Sequence, residues 1–166
     1  SMAPHPLAYV FKRELLHIPI FGWCLARLKM VHIDRSKRAD AWNRVAVQGR
    51  VLMDRGKWVI MFPEGTRTER GSKGVYKSGA TRLAVATGAS VIPIAVTSGR
   101  CWPRKTFSFI PGVIDVSIGT PVSAVDRDPG ELMDQVERWI EAEMRRLDPE
   151  AYKVPVNSEQ RKSAPC

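Results

Sequence analysis

The chain contains few cysteines. Three occur in 166 residues, at the widely spaced positions Cys24, Cys101 and Cys166. None belongs to a CxxC motif or to a Cys/His pair with ligand spacing, so the sequence argues against a zinc site and we expect no metal. A sparse, odd count suits a reducing compartment and excludes a disulfide-based scaffold.

Long hydrophobic runs are also lacking. The longest uncharged stretch extends from Leu83 to Gly99 and is interrupted by Gly88 and Pro93. It falls short of the ~20 apolar residues that a membrane-spanning helix needs. The N-terminus does not resemble a signal peptide. We therefore expect no transmembrane helix.

Recognisable catalytic pairs are missing. The histidines are His5, His17 and His32, and none takes part in a Ser-His-Asp or Cys-His arrangement. His32 and Asp34 share one face of a predicted strand, but this spacing does not imply a tight catalytic couple. The absence of a Gly-x4-Gly-Lys-Ser/Thr motif argues against nucleoside triphosphate chemistry.

Positive charge, by contrast, is in excess. The net charge is +9 and the isoelectric point is near 9.9. Such a balance predicts attraction to an anionic partner, namely nucleic acid, a phosphate-bearing substrate or an anionic membrane. The net charge does not distinguish between these three partners. The alternative is that the positive charge only keeps the protein soluble. A chain of this length is expected to form one domain.

Hydrophobic periodicity indicates alternating strands and helices. The run at 57–62 is continuously apolar after Lys57, which is typical of a strand covered on both faces, and the run at 91–96 is of the same kind. Gly56 and Gly88 are predicted to end two helices, and Asp128-Pro129-Gly130-Glu131 is a capping box that starts a third. This order predicts an α/β fold with a largely parallel mixed sheet flanked by helices. The strands are expected at 8–12, 30–34, 57–62, 91–96 and 113–118, and the helices at 39–55, 77–87 and after residue 128.

The most informative motif is Phe-Pro-Glu-Gly-Thr-Arg at 62–67, directly after a predicted strand. Ligands in α/β sheets bind beyond the carboxyl ends of strands. Gly65 would let a backbone N–H approach a ligand closely. Arg67 supplies a planar guanidinium whose N–H donors are suited to binding phosphate. Glu64 would shape the site, bind a substrate hydroxyl or hold the arginine. A surface turn with an incidental ion pair is the alternative.

Two further cations lie at places that favour anions. Arg35 follows the predicted strand at 30–34, and Lys77 precedes Ser78-Gly79 at the predicted start of a helix. The N-terminus of a helix attracts negative charge through its free N–H groups and its dipole. Both side chains could instead be ordinary solvated cations.

The apolar segment Leu15 to Leu28 is flanked by basic residues, as expected of a patch that contacts an anionic membrane. A core segment is the alternative. Trp102 and Phe107 lie between basic residues, a combination that suits contact with a membrane or with nucleic acid.

Together these segments resemble the glycerolipid acyltransferase family of the 1-acyl-sn-glycerol-3-phosphate acyltransferase (PlsC-like) type. FPEGTR at 62–67 is the most specific match. The segments VHIDR at 31–35, YKSGA at 76–80 and VIPIA at 91–95 match three further family blocks in order and spacing. The resemblance extends over residues 9 to 96 and becomes general beyond about 120.

The departure from the family pattern concerns catalysis. The family's first block, Asn-His-x4-Asp, supplies the general base and its orienting carboxylate, and this chain contains no such pair. We expect that the chain starts downstream of that block and is inactive alone. The resemblance implies a domain at 1–150 that lacks the His-x4-Asp block, followed by a polar tail at 151–166.

By resemblance, the whole protein is expected to move an acyl group from acyl-CoA or acyl carrier protein to lysophosphatidic acid, giving phosphatidic acid. No cofactor is expected. The expected partners are the lysophospholipid acceptor, the acyl donor and an anionic membrane at the cytoplasmic face, with no nucleic acid. The alternatives are a different acceptor, such as glycerol-3-phosphate or another lysophospholipid, and a non-catalytic module that binds anionic lipid. The residues expected to bind substrate are Arg35, Glu64, Gly65, Thr66, Arg67 and Lys77.

Overall fold

The computed structural model describes residues 7–12, 23, 31–33, 38–104, 106 and 108–153 of the 166-residue chain. Helices and short strands alternate along it, which confirms the α/β class. The chain divides into two compact units, described separately below. The first comprises residues 1–66, 75–91 and 121–135, and the second comprises residues 67–74, 92–120 and 136–166.

A parallel sheet lies in the first unit. Its strands are β1 (Leu7–Lys12), β2 (Val31–Ile33) and β3 (Trp58–Ile60), in the order β2-β1-β3. Val10 of β1 is in register with Val31, and Leu7 with Trp58. Parallel pairing agrees with the prediction. The predicted burial of β3 on both faces was wrong, because the side chain of Trp58 is 41% exposed.

Two helices of the first unit end at the predicted glycines. Helix α1 spans Arg38–Asp54 and is followed by Gly56, whose φ is +71°. Helix α2 spans Gly79–Thr87 and ends at Gly88, also with a φ of +71°. Glycine adopts this left-handed conformation without the steric penalty of a Cβ, which is why both helices stop there. Helix α2 begins at Gly79 rather than at the predicted Lys77.

Helix α3 (Pro129–Leu147) begins at the predicted capping box. Asp128 Oδ1 accepts hydrogen bonds from the backbone N–H groups of Gly130, at 2.8 Å, and Glu131, at 3.0 Å. The buried Thr81 hydroxyl of α2 donates to the carbonyl of Pro129 at 2.7 Å. The core of the first unit is formed where these elements meet, by Ala84, Ala124 and Leu132.

The second unit contains an antiparallel pair, β4 (Ile94–Val96) and β5 (Val116–Ile118). On one face Ala95 is buried, and Ser117 donates a hydrogen bond to Glu143 of α3 at 2.7 Å. The other face is exposed, so the predicted two-face burial of this run was wrong as well. Its side chains alternate instead, and the exposed members are Ile94, Val96, Val116 and Ile118.

Two short 3₁₀ segments complete the second unit. Ser98–Arg100 follows β4, and Pro149–Tyr152 follows α3. The second segment crosses the predicted domain boundary between residues 150 and 151, and that boundary stays a prediction.

Candidate functional site

The predicted turn after β3 is present in the first unit. The N–H of Gly65 donates to the carbonyl of Phe62 at 3.0 Å, and Gly65 has a φ of +65°. A glycine therefore suits this position for a reason beyond close approach to a ligand, since residues with a side chain rarely adopt this conformation. Glu64 and Gly65 are half-buried, and Thr66 is exposed.

The start of α2 is hydrogen-bonded to this turn. The backbone N–H of Lys77 donates to the carbonyl of Pro63 at 3.0 Å. The Lys77 side chain is exposed, and Ser78 occupies the N-cap position without a side-chain hydrogen bond to the helix. The structure thus brings the backbone of Lys77 next to the segment that carries Glu64, Gly65 and Thr66.

Arg67 belongs to the second unit, where its guanidinium stacks on an aromatic ring. The Cζ atom of Arg67 lies 4.3 Å from the centroid of the Trp102 ring. The Trp102 ring in turn contacts Phe109, with centroids 4.9 Å apart and planes tilted by 41°. Among the described residues, no carboxylate forms a salt bridge with Arg67.

The two basic residues that next follow Arg67 in the sequence form salt bridges. Arg70 pairs with Asp148, and Lys73 pairs with Glu137. The Glu137 carboxylate raises the pKa of Lys73 through a hydrogen bond and its charge. Arg67 differs from Arg70 and Lys73 in that it forms no salt bridge with a described residue.

A buried carboxylate anchors the segment that follows Arg67. Asp148 is 2% exposed and accepts two hydrogen bonds of 2.8 Å from the guanidinium of Arg70. Arg100 reaches the same carboxylate at 3.2 Å and Asp115 at 2.6 Å, and it also donates to the carbonyl of Leu147. The hydrogen bond from Arg70 and, next, that from Arg100 hold the pKa of Asp148 below its usual range. Sequence reasoning missed this network, because no local pattern links residues so distant in the chain.

A second contact ties the same segment to the end of the described chain. Gly71 has a φ of +80°, and a Cβ at this position would lie 1.9 Å from the carbonyl oxygen of Ala151. Only glycine permits this approach. Together with the Arg70–Asp148 pair, it fixes the backbone a few residues beyond Arg67.

Several sequence predictions fall on residues that the structure does not describe. Arg35, which was predicted to bind phosphate, lies outside the described residues, as do Asp34 and Phe107. Of the apolar segment Leu15 to Leu28, only Trp23 is described, and it is 73% exposed.

Features of membrane-spanning and metal-binding proteins are not found in the described residues. No helix there combines the length and the apolar character that a bilayer crossing requires. In the same residues, no three side chains of His, Cys, Asp or Glu lie together as a metal site would require.

Comparison with known proteins gives consistent matches. A protein-family model described as Acyltransferase matches residues 1–97 of the chain. A 1-acyl-sn-glycerol-3-phosphate acyltransferase of Pseudomonas aeruginosa is 41% identical over 152 residues, which are 90% of this chain and 59% of that relative. A protein of the same name from Limnanthes douglasii is 29% identical over 161 residues, which are 96% of this chain and 57% of the relative.

A solved structure is similar as well. The 1-acyl-sn-glycerophosphate (LPA) acyltransferase PlsC of Thermotoga maritima matches with a TM-score of 0.69 and 26% identity. The match covers 85% of this chain and 56% of that protein. The chain therefore spans somewhat more than half the length of each of these three proteins.

Proposed function

The chain belongs to the Acyltransferase family, and from that premise we propose that the full-length protein transfers a fatty acyl group to lysophosphatidic acid. The product is phosphatidic acid. The names of the similar proteins support this acceptor. The observation that carries the proposal is the state of Arg67, whose guanidinium stacks on Trp102 and has no salt bridge among the described residues.

The acceptor's phosphate is the group that Arg67 is suited to bind. A guanidinium presents its N–H donors in one plane and can hold two phosphate oxygens at once. Arg35 is proposed as a second phosphate ligand on the strength of the sequence match alone. Lys77, with its exposed ammonium, is proposed for the same phosphate or for the phosphates of the acyl donor.

The turn residues are proposed to orient the rest of the acceptor. Gly65 has a φ of +65° and no side chain, so the backbone of the turn is proposed to approach the acceptor closely. Glu64 is proposed to bind the glycerol part of the acceptor, and Thr66, which is exposed, to contact it through its hydroxyl. These roles rest on the position of the residues within the motif.

By resemblance to the family, the base of the reaction is proposed to come from a His-x4-Asp pair. The acceptor hydroxyl attacks the thioester carbonyl, the tetrahedral oxyanion collapses, and the thiol of the donor leaves. A base that removes the hydroxyl proton contributes roughly 10²–10⁴-fold. The sequence has no His-x4-Asp pair to supply it. We therefore propose that this chain alone binds acceptor but does not turn it over.

The acyl donor and the cellular location are proposed from the resemblance to the family, and contact with a membrane also from the net charge. Either acyl-CoA or acyl carrier protein supplies the thioester, and no cofactor is needed. The net charge of +9 favours contact with an anionic membrane, with the enzyme held peripherally or monotopically at its cytoplasmic face. A loss of membrane binding at high salt would support this electrostatic contribution.

Acceptor kinetics of the full-length enzyme test the proposal. Arg67→Ala is expected to raise the KM for lysophosphatidic acid by about 10- to 100-fold, because two charge-assisted hydrogen bonds are lost. Arg138→Ala is the matched control, since Arg138 is an exposed arginine of α3 in the same unit. An unchanged acceptor KM in Arg67→Ala would contradict the role of Arg67.

Two other functions are separable by experiment. An enzyme specific for glycerol-3-phosphate or another lysophospholipid would prefer that acceptor over lysophosphatidic acid in direct competition. A module that only binds anionic surfaces is favoured by the net charge of +9. For such a module, Arg67→Ala and Arg138→Ala are expected to weaken binding to anionic vesicles by the same amount.

A further inference from the structure

The guanidinium of Arg67 stacks on the Trp102 ring. The Cζ atom lies 4.3 Å above the ring, within the range at which a cation is attracted to the face of an indole. The cation is exposed and Trp102 is 42% exposed, so the stack lies at the surface of the second unit. A long side chain at a surface otherwise samples many rotamers. The stack therefore restricts where the charge of Arg67 points.

The ring that receives Arg67 is itself held by several contacts. The backbone N–H of Trp102 donates to the carbonyl of Ser98 at 2.9 Å, and its Nε1 donates to the carbonyl of Thr106 at 3.0 Å. Phe109 packs against its ring. The N–H of Ile110 donates to the carbonyl of Cys101 at 2.8 Å, which closes the loop around Trp102. These contacts fix the position of the Trp102 ring within the second unit.

Stacking and phosphate binding use different parts of a guanidinium. The indole contacts the flat face of Arg67, whereas the N–H donors point outward in the plane of the group. A phosphate can therefore be bound at the edge while the face stays on the ring. A lysine would lack this geometry, because its ammonium is a point charge without a planar face.

We propose that Trp102 is a positioning residue of the acceptor site, which orients Arg67 for two-point binding of the acceptor's phosphate. This inference rests on the proposed function, because it assumes that Arg67 binds phosphate. Trp102 acts through Arg67 and need not touch the substrate.

A double-mutant cycle in the full-length enzyme tests the proposal. Its variants are Arg67→Ala, Trp102→Leu and the combination of both, and the KM is measured for acceptor and for acyl donor. Leucine preserves apolar bulk but removes the aromatic face. Trp102→Leu is expected to raise the acceptor KM by about three- to fivefold, the size of an exposed cation–π interaction. The donor KM is expected to stay within about twofold, because the stack involves only Arg67.

The double variant and Trp102→Phe provide the comparisons that decide between a positioning role and a structural role of Trp102. In the Arg67→Ala background, Trp102→Leu is expected to raise the acceptor KM no further. Trp102→Phe retains an aromatic face and is expected to recover most of the lost affinity. Thermal unfolding of each variant identifies loss of fold, which would raise both KM values or lower kcat without this selectivity.

Failure of the inference differs from failure of the proposed function. If Arg67→Ala raises the acceptor KM and Trp102→Leu does not, the positioning role is refuted and the phosphate role of Arg67 stands. If Trp102→Leu acts equally with and without Arg67, Trp102 works through another group and the inference is overturned. If Arg67→Ala leaves the acceptor KM unchanged, both proposals are refuted.

Discussion

The guanidinium of Arg70 and the carboxylate of Asp148 form a two-point salt bridge, with both hydrogen bonds at 2.8 Å, across 78 positions of the chain. The carboxylate is nearly inaccessible to solvent, whereas Arg70 remains partly exposed. Asp148 directly follows the last residue of α3, so the pair joins the end of that helix to the segment just after Arg67. It is the clearest structural restraint on that segment within the second unit.

Asp148→Asn is expected to destabilise the protein by about 2 kcal/mol, because charge-assisted hydrogen bonds from Arg70 and Arg100 are weakened. The cost stays below that of breaking a fully buried pair, since both arginines reach solvent. Urea unfolding measures the difference. Glu150→Gln is the control, because its pair with Lys153 is exposed on both sides and is expected to change stability by less than about 0.5 kcal/mol. Equal effects of the two substitutions would contradict the importance assigned to Asp148.

The same carboxylate makes stability depend on pH. Its folded pKa lies below its ordinary value of 3.8, first through the hydrogen bond from Arg70. The unfolded chain therefore takes up the proton at higher pH than the folded one, so the contribution is complete above 3.8 and is lost as pH falls through the folded pKa. The stability difference between the wild type and Asp148→Asn is expected to be full at neutral pH and to shrink on acidification below about pH 4.

Unfolding by urea at a series of pH values tests this. Glu143, whose pKa is lowered first by Arg146 and then by Ser117, titrates in the same region in both proteins. Its contribution cancels in the difference between them. A difference that stays constant from neutral to acidic pH would show that the Asp148 carboxylate is not the group responsible.

Local features were predictable from the sequence. Asp128 caps α3 with its own side chain, and Gly56 and Gly88 adopt positive φ values where helices α1 and α2 end. Each depends on backbone conformation and on residues close in the chain, so the sequence pattern contains the necessary information. The same holds for the parallel pairing of β1 with β2 and β3, which follows from the alternation of strands and helices.

Long-range partners were not predictable. Arg67 was identified as a candidate from its motif, but nothing in the sequence indicated that Trp102 would be its partner. Any of 17 acidic residues could in principle have paired with Arg70, and only the fold selects Asp148. Burial was misjudged for a related reason. The side chains of Ile94 and Val96 are hydrophobic and therefore favour burial. Their sequence does not indicate whether another helix or strand packs against them, and in the structure both side chains are exposed.

Gly71 offers a test of the other contact that restrains the segment after Arg67. Gly71→Ala is expected to be unfavourable for two reasons. The φ of +80° is rarely adopted by residues with a side chain, and the new Cβ would lie 1.9 Å from the carbonyl oxygen of Ala151 and 2.8 Å from its carbonyl carbon. Because these are backbone atoms, a rotamer change cannot relieve the clash, and the loop or the 3₁₀ segment must shift. We expect a loss of about 2–3 kcal/mol in the free energy of unfolding.

Gly56→Ala is the matched control, since Gly56 has a φ of +71° and no atom lies within 4 Å of the place that its Cβ would occupy. It should lose only about 1 kcal/mol from the left-handed conformation. Similar losses in the two variants, measured by urea unfolding, would show that close packing of Gly71 against Ala151 contributes nothing beyond backbone strain.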